Sequence, residues 1–126
     1  MSKLILSCCI NCCYLLPILT TQNSNTIIGV WKATDLNNSI IELYKGKDGL
    51  LFGKIIDSDE KAWIDKVIFT NGKYDSKEDH WQGNLYSLKR KVTIGATLSL
   101  ASKNKLKVVG KKFFMTKTFY WESKEN

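Results

Sequence analysis

A chain of 126 residues with a net charge of +7 has room for one domain with its own core and is too short for two. Its four cysteines, Cys8, Cys9, Cys12 and Cys13, all lie near the N-terminus, and His80 is its single histidine. Everything after residue 13 therefore lacks a thiol for nucleophilic catalysis, the cysteines of a structural zinc site and any disulfide framework.

Taken in order, the chain opens with Lys3 and an apolar run from Leu4 to Leu19, then turns polar at Thr20. This pattern reads as a secretory signal peptide over residues 1–21, ahead of one domain over residues 22–126. Ser7, Asn11 and Pro17 break the run, which falls short of the roughly twenty apolar residues of a membrane span. The expected location is periplasmic or extracellular after cleavage. A retained membrane anchor, or a lipid on Cys8 after Ser7, is the alternative.

Residues 26–33 predict a first strand, Asp35-Leu36-Asn37-Asn38 a turn and residues 39–44 a second strand. Asp48-Gly49 signals a hairpin into a third strand at 50–56, where Gly53 marks a bulge or a barrel corner. After an acidic loop at 57–61, residues 62–69 alternate imperfectly, which allows a helical turn. Asn71-Gly72 then signals a reversal followed by a polar loop to Asp79. Period two is clearest at 91–100, where Val92, Ile94, Ala96, Leu98 and Leu100 alternate with polar or small residues. Asn104, in the left-handed conformation, would turn the chain into a strand at 106–110. Phe113, Met115, Lys117, Phe119 and Trp121 then share one parity. With strands beginning near His80, Lys91, Leu106 and Lys111, the fold class is all-β: a single antiparallel up-and-down β-barrel of about eight strands.

Two sets of residues carry a resemblance. Gly29-Val30-Trp31 is similar to the Gly-x-Trp that opens lipocalin-type barrels. Trp81-Gln82-Gly83-Asn84-Leu85-Tyr86, Leu106-Lys107-Val108-Val109-Gly110 and Lys117-Thr118-Phe119-Tyr120-Trp121, in that order, resemble the exported bacterial proteins of domain-of-unknown-function family 2147 over residues 26–122. The resemblance implies a signal peptide, a lipocalin-like barrel with the Trp31 indole plugging one end, and an envelope or secreted location. It implies no reaction. Ser87-Leu88 stand where the family carries Asp-Pro, and Val109 where it carries arginine, so a polar site built on those residues is not carried over.

No catalytic signature accompanies His80, since its neighbour Asp79 would point to the opposite face of a strand and no nucleophile elbow is present. Asp57-x-Asp59 lacks the later ligands of a calcium loop. The chain is accordingly expected to be non-enzymatic and to need no metal or cofactor. Its expected partner is a small apolar or amphipathic molecule inside the barrel, bound by Trp31, Tyr86, Ile94, Leu98, Phe113, Phe119 and Trp121. In that scheme Lys117 either neutralises the ligand's anionic group or lies across Trp31 or Trp121 as a cation–π contact. An alternative follows from charge: no acid occurs between Trp81 and Trp121, whereas Lys89, Arg90, Lys91, Lys103, Lys105, Lys107, Lys111, Lys112 and Lys117 all do. Such a face suits an anionic envelope surface. A nucleic acid partner is not expected, because an OB-type barrel acting on one would require that the N-terminal segment not be a signal.

Overall fold

The computed structural model describes residues 26–124, so the segment expected to be a signal peptide, with its cysteines, lies outside the described residues. Eight strands run in chain order: β1 (Gly29–Ala33), β2 (Ser39–Lys45), β3 (Leu51–Asp57), β4 (Val67–Asp75), β5 (His80–Ser87), β6 (Val92–Ser102), β7 (Lys105–Lys112) and β8 (Met115–Ser123). Each pairs antiparallel with the next and β1 pairs with β8, which closes an up-and-down barrel. A 3-10 turn, Lys61–Trp63, interrupts the β3–β4 connection, within the stretch where alternation is poorest.

Period-two alternation puts one face of each strand inside. Trp31 and Ala33 of β1, Ile41 and Leu43 of β2, Leu51 and Ile55 of β3, Trp81 of β5, Ala96 and Leu98 of β6, Leu106 and Val108 of β7 and Trp121 of β8 form one buried cluster. An eight-stranded barrel is just wide enough for side chains to fill its interior. Phe69 fills its share by lying against three glycines. A Cβ on Gly53, Gly72 or Gly83 would come within 3.2, 2.6 and 2.8 Å of Phe69 atoms, respectively. Phe69, through its Cβ at Gly53 and its ring at Gly72 and Gly83, occupies the volume that side chains at those positions would need.

Several local expectations are corrected. Asn71-Gly72 does not reverse the chain; both residues lie within β4, where the β4–β5 register shifts between Thr70 and Lys73. Asn71, at φ 55°, supplies the left-handed residue of this irregularity, a conformation that asparagine tolerates. A second shift, against β3, pairs Phe69 with Gly53 and Val67 with Lys54. Ile68 is thereby the extra residue, and Ile68 and Phe69 are both buried, which strict alternation forbids. Asn104 is not left-handed either, and the β6–β7 hairpin instead takes a register shift between Leu100 and Ser102. Lys111 and Lys112 end β7 rather than opening β8, which makes Phe113 a turn residue at φ 56°.

Closure is narrowest at β1–β8, where the register comprises only Trp31↔Ser123 and Lys32↔Glu122. Trp31 ties β1 to the residues that lead into it, its indole N–H donating to the Ile27 carbonyl at 2.9 Å. Trp81 is buried equally well, but its indole N–H has no partner among the described residues. Replacing each indole with phenylalanine removes similar area, yet only Trp31→Phe also orphans a buried carbonyl. Urea unfolding should therefore show Trp31→Phe to be less stable than Trp81→Phe by about 1 kcal/mol.

Candidate functional site

The residues expected to wall a ligand cavity do not meet around one space. Trp31, Leu98 and Trp121 are packed into the core, and Ile94 and Phe119 are half-buried. Tyr86 lies on the outer face of β5, and Phe113, 88% exposed, stands clear of the barrel. Its assignment to the inner wall is corrected by its place in the β7–β8 turn. Lys117 does share the face of Phe119 and Trp121, as its parity predicts, but it is exposed and its Nζ lies 5.7 Å from the ring of Phe119 rather than over Trp31 or Trp121. The physical reason is the seam: β1 ends at Ala33, so β8 from Met115 to Tyr120 runs on with no strand beside it on that edge among the described residues. Inward-pointing side chains there look into solvent.

The β7–β8 hairpin thus overhangs one end of the barrel. Its two-residue loop, Phe113-Phe114, lies between the pair Lys112↔Met115. Phe113, Phe114 and Met115 are 88%, 102% and 77% exposed. Lys111 and Lys112 precede this tip and Lys117 follows it, with Lys112 Nζ 5.5 Å from the Phe113 ring. Register brings a second basic group alongside. Gly95 is opposite Lys111, so the tip is level with the start of β6, where the β5–β6 turn carries Lys89, Arg90 and Lys91. Leu88 of that turn packs on the core with Leu36 and Trp63, which belong to the two other connections at the same end. Together they cover the mouth of the barrel below a rim that is basic on its β5–β8 side.

The tip is costly in two ways. Phenylalanine is a poor left-handed residue, and such strain is of order 1–3 kcal/mol. Its ring is also left in water, with no burial to offset that strain. Among the described residues the other non-glycine positive φ values fall on Asn37, Asn38, Asp65, Asn71, Asp79 and Lys91, of which only Lys91 is neither asparagine nor aspartate, and it too sits in the rim. Sequence reasoning missed Phe114 and Met115 because it read the segment as strand. The available signal was three consecutive apolar residues with Lys111 and Lys112 directly before them and Thr116 and Lys117 directly after.

The opposite end holds two clefts, one of about 550 Å³ lined by Lys73, Tyr74, Asp75, Ser76, Lys77 and Gln82, and a smaller one of about 70 Å³ beside Trp81 and Leu98. There Asp79 is engaged by tyrosine: the Tyr74 hydroxyl donates to Asp79 Oδ1 at 2.6 Å. That hydrogen bond first, then burial and the charges of Asp79 and Asp75, push the Tyr74 phenol up to about 12. The raised value favours the protonated, folded form, so its stabilisation is complete below the ordinary value of 10.0 and is lost as pH rises through about 12. An ultraviolet titration should place this phenol near 12 in the parent and closer to 10.0 in Asp79→Asn.

Comparison with known proteins finds no match to any family model, any curated protein or any solved structure.

Proposed function

We propose that this chain is a non-enzymatic, exported binding module that holds to anionic envelope surfaces through the basic rim around the β7–β8 hairpin. The observation that carries this reading is the conjunction of Lys111, Lys112 and Lys117 with a fully exposed apolar tip, on a barrel whose interior is filled by its own side chains. Export rests on the N-terminal pattern and on the resemblance to family 2147, which the eight-stranded barrel supports at the level of architecture alone. The acids of the β3–β4 connection, Asp59, Glu60 and Asp65, lie at the same end on the opposite side. An anionic surface repels them, so the barrel approaches it tilted, with β6 to β8 leading.

Each basic side chain close to an anionic membrane surface contributes about 1 kcal/mol. Co-sedimentation with vesicles rich in anionic phospholipid should show binding that weakens steeply as salt rises. Replacing Lys111, Lys112 and Lys117 with glutamine should weaken it about a hundredfold at low salt. Unaltered binding by the triple variant would dismiss the rim as the contact.

A further inference from the structure

We infer that the Phe113-Phe114-Met115 tip is a membrane-inserting wedge, so that the partner of the basic rim is a lipid bilayer and not merely any anionic surface. This rests on the proposed surface-binding role and names its partner. The tip buries little among the described residues: Phe114 is 102% exposed, and Phe113 holds a left-handed backbone conformation that asparagine or glycine would adopt with less strain. A two-residue hairpin loop in which only the first residue is left-handed is served best by glycine at that position, so two phenylalanines work against the fold at the one place where the fold gains nothing from them. Strain retained at a site that folding does not reward points to use by a partner.

The surroundings specify which partner. A purely polyanionic surface would reward Lys111, Lys112 and Lys117 and leave the rings in water. A bilayer rewards both, because aromatic and thioether side chains enter the headgroup and acyl boundary while lysines at its edge remain with the phosphates. The geometry matches. The apolar residues are the outermost of the hairpin, the lysines lie close behind them on both strands, and Lys89, Arg90 and Lys91 stand level with them on the next hairpin. No acidic side chain lies on β6, on β7 or on β8 before Glu122.

The test uses the full chain and compares vesicles of anionic phospholipid with polyphosphate immobilised on a resin. In the Phe113→Gly/Phe114→Asn variant glycine takes the left-handed position and the tip becomes a favourable turn, so the thermal midpoint should equal or exceed that of the parent. Binding to vesicles should drop at least tenfold while retention on polyphosphate is unchanged. Every variant carries the same N-terminal segment, so such a difference belongs to the tip. A second variant, Phe114→Trp, should show quenching of its added fluorescence by lipids brominated on their acyl chains. Equal vesicle binding by parent and tip variant, or added fluorescence in Phe114→Trp that brominated lipid leaves untouched, overturns insertion and leaves the charge-based reading standing. Failure of the parent to bind either material at low salt overturns both.

Discussion

Phe69→Ala is expected to cost about 3–5 kcal/mol, the range for deleting a buried phenylalanine. For a domain of this size that is a fifth or more of the usual total stability of about 5–15 kcal/mol. The loss should fall toward the upper end because the cavity cannot be closed from the far side. Phe69 is fully buried, and the strands around it present glycines at positions 53, 72 and 83 that have no side chain with which to follow the ring's departure. The same geometry predicts coupling. A Cβ at position 72 would sit 2.6 Å from Phe69 Cε2, 2.9 Å from Leu51 Cβ and 3.2 Å from Leu51 O, so Gly72→Ala should be strongly destabilising alone and less so beside Phe69→Ala, where only the Leu51 contacts remain. Chemical denaturation of the two single variants and the double variant measures this directly, and additive losses would refute the packing argument.

Gly83→Ala is the second large effect, about 2–3 kcal/mol from a single methyl group. Two of the three atoms that its Cβ would strike belong to backbone: Thr70 O at 2.6 Å and Gly72 Cα at 3.0 Å, with Phe69 Cζ at 2.8 Å. No rotamer change relieves contact with backbone, so β4 would have to move away from β5. The close approach exists because the β4–β5 register shifts between Thr70 and Lys73, opposite this glycine's end of the ladder. Gly95 offers a control on the neighbouring strand. A Cβ there meets nothing within 4 Å and its φ is not positive, so Gly95→Ala should be neutral or stabilising by up to about 1 kcal/mol. Thermal unfolding of the two variants separates a steric requirement for glycine from a general one. Equal effects at both positions would remove the claim.

These glycines also bear on function. A barrel that packs a phenylalanine against three strands' glycines has used its interior for stability, which leaves the rim as the surface on which the proposed contact is made. The rim in turn inherits its shape from the seam. Because β1 stops at Ala33, the β7–β8 hairpin has a free edge along β8 where it carries Lys117 and its aromatic tip.

Strand identity and the inward face were legible in the residues themselves. The alternation of Val92 to Leu98, the turn at Asp48-Gly49 and the irregularity at Gly53 each follow from backbone preferences that act over a few residues. The all-β class and the strand count come from the same local rules. The tertiary structure alone decided where that inward face stops being an interior. Periodicity states which way Lys117 points, but whether a neighbour covers it depends on how far β1 reaches along β8, a pairing between segments at opposite ends of the domain. Local patterns carry no information on that register, because closing a barrel sets strand stagger and tilt collectively around the whole ring. Hence the core was readable from the chain, whereas the overhanging hairpin and the fate of Phe113 and Lys117 became visible only once the ring was closed.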